Sequence, residues 1–311
     1  GLDRDYITQW SYGIDETWTL LVPNTKGGAS VPLARNEKAM AKADPQFYEV
    51  YQQMGQYWGN QPGTSGPVYV GAFVFMLFIL GLFIVKGPMK WALFAATVLS
   101  VLLSWGRNFM WFTDLFLDYV PMYAKFRTVA SILVIAEFTI PLLAMLALKE
   151  LLQNPQSLKE KVTVRERIVN FIFFTPLGAV ATKRRDYLWI SFVLSAGCAF
   201  LFAIMPTVFF PDYISLAEMN ALKQIPSEYL GPLIANLREV RISIFTADCW
   251  RSFFIIVLGT AILLLALKKK LQTKYAVGAI VVLCLIDMWQ VNKRYLNDEM
   301  FVERSVRETP Q

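Results

Sequence analysis

The stretch "SWGRNFMWFTDLFLDYVPMYAKFRT", residues 104 to 128, mixes eight aromatic residues with Arg107, Asp114, Asp118, Lys125 and Arg127. A guanidinium presents a planar fork of donors that matches phosphate. Arg127, directly before an apolar run, is therefore the leading candidate to hold an anionic headgroup, with Arg107, Lys125 and Tyr123 beside it. On a partly re-entrant helix, Asp114 and Asp118 would share a face one turn apart. The plainer alternative is an aromatic belt at headgroup depth whose cations touch lipid phosphates. A second cluster, Asp15 and Glu16 in "WSYGIDETWTL", lies beside Trp10, Tyr12 and Trp18. Aromatic faces with carboxylates suit a sugar, and a carboxylate can accept a hydroxyl or act as general base. Adjacent side chains diverge, so at most one of the two serves that role, and solvated loop acids are the alternative.

Two further acids, Glu137 and Asp287, fall inside apolar runs. A charge there costs several kcal/mol unless paired, hydrated or protonated, so each is a functional candidate, with a hydrogen-bonded structural acid as the alternative. The chain has no histidine. That excludes histidine acid–base catalysis, Ser/His and Cys/His nucleophiles and histidine-containing zinc sites. Cys198, Cys249 and Cys284 are too few and too scattered to suggest a disulfide or a metal site. What remains is chemistry by carboxylates, cations and tyrosines, or by a carboxylate-bound metal. No metal ligand set is identified.

The elements that must position these groups are membrane spans. The chain is 55 % hydrophobic and 17 % charged, against about 25 % charged in soluble domains. Apolar runs at 68 to 85, 91 to 106, 128 to 148, 187 to 210, 252 to 267 and 276 to 291 predict about six transmembrane helices in an all-α polytopic fold. Fourteen of the thirty cations, with only four acids, lie in "KGPMK", in 149 to 186 and in "KKKLQTK", all on one side of a six-span arrangement. That side reads as cytoplasmic, and the overall charge of +6 then reflects anchoring to a membrane leaflet, with no nucleic-acid role.

The expected organisation is an external region at 1–67 and three spans over 68–148 enclosing the external loop 107–127. A cytoplasmic basic, interfacial segment follows at 149–186, then three spans over 187–291 enclosing the external loop 211–251, and an external segment at 292–311. Within the first region Asp44 and Pro45 read as N-cap and first residue of a short helix. Within 211–251, Ser215 and Glu218 have capping-box spacing, and a second amphipathic helix is expected over 227–240. Because residues 1–67 would be external with no signal peptide or preceding span, the expectation is a piece of a longer chain.

The segments "YITQWSYGIDETWTLLVPNTKGGAS", "YWGNQPGTSGPVYVGAFVF", "LSWGRNFM" and "VPMYAKFRTVASILVIAEF" resemble the YfhO family of bacterial polytopic membrane proteins, in its long Bacteroidetes-type form. The resemblance implies a GT-C-like glycosyltransferase of the bacterial inner (cytoplasmic) membrane. Such an enzyme takes a sugar from a polyprenyl-phosphate donor, its lipid-linked substrate, and transfers it on the external face to a cell-envelope acceptor. No other cofactor is implied. Its essential acid would lie upstream, leaving to these residues a carrier-phosphate site at Arg107, Lys125 and Arg127, with Asp15 or Glu16 contacting the acceptor. The competing expectation is a transporter or flippase for a lipid-linked or anionic substrate, with Glu137 and Asp287 lining its path. A third is an envelope scaffold without turnover.

Overall fold

The structure, a computed structural model, describes residues 3–125, 127–173 and 176–296. Among them no strand forms, and extended pairing is limited to isolated bridges, Pro32 with Gly55 and Lys161 with Lys183. Eight longer helices organise these residues: α1 Ala72–Ile84, α2 Pro88–Ser104, α3 Met110–Tyr119, α4 Val134–Gln153, α5 Val164–Phe173, α6 Arg184–Ile204, α7 Ser227–Leu267 and α8 Thr273–Asn292. Four of them, α4 with its 3-10 lead-in from Val129, α6, α7 and α8, are long and apolar enough to cross a membrane; α2 with its continuation through α3 is a fifth if that bent pair counts as one span. This is the helix inventory of a multi-pass membrane protein.

At thirteen residues α1 is about 20 Å long, short of a hydrocarbon core of about 30 Å. It is apolar on every side, and ten of its residues are buried, which places it at the centre of the bundle rather than against lipid. Phe83 stacks on Tyr187 of α6 with centroids 4.8 Å apart. Gly81 lies so close to α4 that a Cβ would sit 2.9 Å from the Leu143 carbonyl oxygen. Thr260 of α7 reaches Met76 Sδ at 3.3 Å.

The run at 68 to 85, expected as a span, is thus a helix too short to cross by itself, and two further expected elements differ in form. The run at 91 to 106 is α2, which ends at Ser104; the chain then turns by 108° into the helical stretch that carries α3. Gly106 makes that turn at φ 43°, and a Cβ there would meet Ser11 Oγ at 2.1 Å. Beyond the turn, α3 exposes Trp111, Leu115 and Tyr119, the habit of an interfacial helix. The second difference is α7. Its 41 residues extend about 62 Å, roughly twice a hydrocarbon core, so the helix expected over 227–240 and the span expected over 252–267 are one unbroken rod. Within the segment expected as the external loop 211–251, Arg241, Asp248 and Arg251 are paired side chains along that rod.

Residues 3–67 form a cap at the end where α1 begins and α2 and α8 finish. Their regular structure is brief: Arg4–Ile7, Glu37–Met40 and Tyr48–Gln53 are short helices joined by 3-10 turns. Asp44 caps the turn that Pro45 begins, and Ser215 with Glu218 forms the capping box of the helix Leu216–Leu222, both as the sequence indicates. Leu33, Phe47 and Tyr51 of the cap pack on Leu233, Leu237, Val240 and Ile244, one stripe of α7.

Side chains of α7 also bond the cap's backbone. Asn236 donates to Lys42 O at 3.0 Å, Arg241 to Gly55 O at 2.7 Å and Ser252 to Leu21 O at 2.8 Å, while Asp248 accepts from Asn24 N at 3.1 Å. At the far end, Arg184 joins Glu160 and Glu166 beside α5, within the segment expected to be basic and interfacial. Of the segment expected at 292–311, residues from 297 onward lie outside those described.

The approach of α1 to α4 allows no larger residue at Gly81. Gly81→Leu is expected to lower stability by about 1–3 kcal/mol through overpacking, read as a fall in the thermal unfolding midpoint in detergent; an unchanged midpoint would mean that the two helices are not in contact.

Candidate functional site

Glu16 sits in the 3-10 turn Asp15–Leu20 and is 1 % exposed. Every lone-pair direction in use is internal: Oε2 accepts from Gly13 N at 2.7 Å and Asn60 N at 3.3 Å, and Oε1 accepts from the Tyr57 hydroxyl at 2.5 Å. Tyr57 Oη accepts in turn from Gln61 N at 3.0 Å. Burial raises the Glu16 carboxyl above the ordinary carboxylate range in spite of these three donors. Burial, and then the charge of Glu16, raise Tyr57 as well. Asp15 points the other way, as expected for a neighbour: its side chain is 43 % exposed and pairs with Lys26 at 2.5 Å, whose own side chain is only 6 % exposed. Tyr12, Glu16, Lys26, Tyr57, Gln61 and Thr64 help to line a narrow cleft with about 10 Å³ open to water centres, room for about one water.

The two clusters that the sequence shows separately meet here in part. Arg107, at the turn between α2 and α3, donates through its backbone N–H to Ser11 Oγ at 2.9 Å and through Nη2 to Asn60 O at 2.5 Å. Asn60 Nδ2 donates to Asn108 Oδ1 at 3.2 Å, and Asn108 Nδ2 to Tyr12 O at 2.8 Å. Asn60 therefore links the Glu16 turn to Arg107, whose side chain remains exposed with most of its donors uncommitted.

The other expected cations lie farther along the arm. Lys125 is exposed, and Arg127, also exposed, stands over the Tyr6 ring at 5.7 Å. Half-buried Tyr123 ends an aromatic series that runs through Phe109, Phe112 and Phe116. Asp114 and Asp118 share a face of α3, and Arg4 binds both. They are thus held by a cation from the cap, and the positive groups of the arm are not neutralised by its own acids.

Asp287 is buried and fully partnered. Tyr69 Oη donates to Oδ1 at 2.8 Å and lies 2.9 Å from Oδ2, Ala72 N donates to Oδ2 at 3.0 Å, and Arg251 closes the pair by binding Oδ1 and, at 2.7 Å, the Asp287 carbonyl. A second pair lies near it: Arg294 grips Asp248 through both guanidinium termini at 2.6 and 2.7 Å. Glu137 differs, since it is exposed in the first turn of α4 and has no ion-pair partner among the described residues. No group of three or more His, Cys, Asp or Glu able to hold a metal occurs among those residues.

The residues that sequence reasoning missed are Tyr57, Asn60, Asn108 and Lys26 around Glu16, and Arg251 as the partner of Asp287. Only Arg251 had a signal, as a cation at the border of the apolar run 252 to 267. Comparisons with protein-family models, with curated proteins and with solved structures find no match for the chain.

Two outcomes follow from these networks. Asp287→Ala leaves Arg251 largely buried and without its carboxylate and is expected to cost about 3–5 kcal/mol, whereas the double change Arg251→Met with Asp287→Leu costs far less; unfolding midpoints of the two variants against the wild type decide, and equal losses would contradict the pairing. For Glu16, a folded pKa above the unfolded one contributes stability below the ordinary carboxylate pKa of about 4.3, and that contribution is lost as pH rises through the folded value. Glu16→Gln cannot ionise, so its midpoint is expected to gain on that of the wild type as pH rises from about 4 to 7; a constant difference across that range would show that Glu16 titrates normally.

Proposed function

We propose that this chain is part of a GT-C-like membrane glycosyltransferase that takes a sugar from a polyprenyl-phosphate carrier and transfers it to a cell-envelope acceptor on the external face of a bacterial inner membrane. In this reading α2, α4, α6, α7 and α8 cross the membrane, the short α1 runs inside their bundle from the external towards the cytoplasmic side, the cap is external, and the end bearing α5 is cytoplasmic. The observation that carries the proposal is the meeting of Arg107 with the Asp15–Glu16 turn at Asn60, above the interfacial arm that begins at Gly106.

A polyprenyl phosphate keeps its chain in lipid and its charge at the interface, where the exposed guanidinium of Arg107 stands. That group binds the phosphate and stabilises the negative charge that grows on it as the glycosidic bond to the sugar breaks. Lys125, Arg127 and Tyr123 add an anion-attracting margin along the arm. Of the two adjacent acids, Asp15 is the one with an accessible carboxylate, and it is assigned to hold the acceptor hydroxyl by a hydrogen bond. Glu16 has its oxygens occupied and does not contact the acceptor. The resemblance to the YfhO family supports the same chemistry. A transport path would need Asp287 to face a solvated route, and its enclosure by Tyr69, the Ala72 N–H and Arg251 argues against that use.

Reconstituted with polyprenyl-phosphate sugars, the full-length protein is expected to transfer sugar. Arg107→Ala is expected to lower the rate by about 10²-fold, as for loss of one group that stabilises developing charge, and Arg127→Ala by less. Asp15→Asn is expected to lower kcat with little change in donor binding. Absence of transfer with any such donor, or a larger loss at Arg127 than at Arg107, would sink the assignment.

A further inference from the structure

We infer that Glu16 is a positioning residue: it holds the 57–61 turn so that Asn60 presents its carbonyl to Arg107 and aims that guanidinium at an anionic phosphate. This deepens the function proposed above and rests on it for the identity of the ligand. The chain of contacts is continuous. Glu16 Oε2 fixes the Asn60 N–H at 3.3 Å, and the carbonyl of the same residue accepts from Arg107 Nη2 at 2.5 Å. The other carboxylate oxygen accepts from Tyr57 Oη at 2.5 Å, so Glu16 holds the turn at both Tyr57 and Asn60, and the Gln61 N–H donates to Tyr57 Oη. A second strand of bonds returns from Asn60 through Asn108 to the Tyr12 carbonyl and keeps the turn from rotating about the first.

A long side chain on an exposed surface loses rotamer freedom when it binds a ligand. Arg107 has already lost part of it, because one terminal nitrogen is tied to Asn60, on a backbone that the bond to Ser11 fixes. Its remaining donors are thus pre-aimed, which lowers the cost of binding a phosphate. Removing Glu16 would leave Arg107 present and charged but free to swing. The expected signature is a loss of phosphate affinity that depends on Arg107 and vanishes when Arg107 is absent.

The test has two readouts on the full-length protein in lipid nanodiscs. The first is hydrogen exchange of the peptides covering 57–61 and 105–109. Glu16→Ala is expected to speed exchange in both, with the spans unchanged; Glu16→Gln, which keeps an acceptor oxygen, and Tyr57→Phe, which keeps the bulk, guard against a variant that simply misfolds. The second is binding of unsubstituted polyprenyl phosphate by native mass spectrometry. Arg107→Ala and Glu16→Ala are each expected to weaken it about tenfold, the double variant no further, and Glu16→Gln to restore most of it.

Unchanged exchange at 105–109 in Glu16→Ala overturns the positioning role whatever the lipid does, as do losses that multiply in the double variant. No binding by the wild type, or full binding by Arg107→Ala, overturns the proposed function instead, and the exchange data then decide the positioning role by themselves.

Discussion

A loop-rich cap without sheet or long helix has many backbone groups that its own structure cannot satisfy, and the projecting half of α7 satisfies them. Asn236, Arg241, Asp248 and Ser252 follow one another along the rod, and each bonds a main-chain atom of the cap. Each buried bond is worth about 1 kcal/mol net, and leaving such a group unpaired costs more. The apolar stripe from Leu233 to Ile244 supplies the non-directional part of the attachment. Arg241 is the pivot, fully buried, paired with Glu218 and stacked over Trp58 at 5.3 Å. It ties the cap, the loop before α7 and the rod at one point. The placement of Glu16 and Arg107 depends on this seat, because the cap brings one and α2 brings the other.

Where the rod enters the bundle, the polar groups change role. Asp248 with Arg294, and Asp287 with Arg251, cancel charge locally and pin the start of α1 and the end of α8 against α7. Ion pairs of this kind contribute less to stability than to specifying one arrangement, since their desolvation offsets much of the attraction. Here they set the height at which the short α1 sits in the bundle. Tyr69 and the Ala72 N–H at its entrance share the Asp287 carboxylate, so the helix begins where that acid is.

Much of this was legible in the sequence, for physical reasons that differ by element. Apolar runs mark α4, α6 and α8 because a helix able to span must be apolar over its length, and they mark α2 by the same composition. Asp44 with Pro45 and Ser215 with Glu218 mark helix starts because unpaired N–H groups need local acceptors. The long α7 was read as loop, short helix and span, since its charges look solvated until the cap that binds them is known. In the same way Glu16, Arg107 and Asp287 were recognisable as chemical types, and their partners were not. Asn60 lies 44 residues from Glu16 and 47 from Arg107, and nothing in local patterning predicts that it joins them. Arg127, the stronger candidate by position next to a span, stands instead beside Tyr6.

The most direct measurement is the structure, by electron cryo-microscopy in nanodiscs, of the full-length protein with bound polyprenyl phosphate. The account predicts the phosphate within hydrogen-bonding reach of the Arg107 guanidinium, with the cap seated on the projecting half of α7 and the Glu16–Asn60 contact intact. Phosphate bound at another place, such as beside Glu137 on α4, or a cap standing clear of α7, would contradict it.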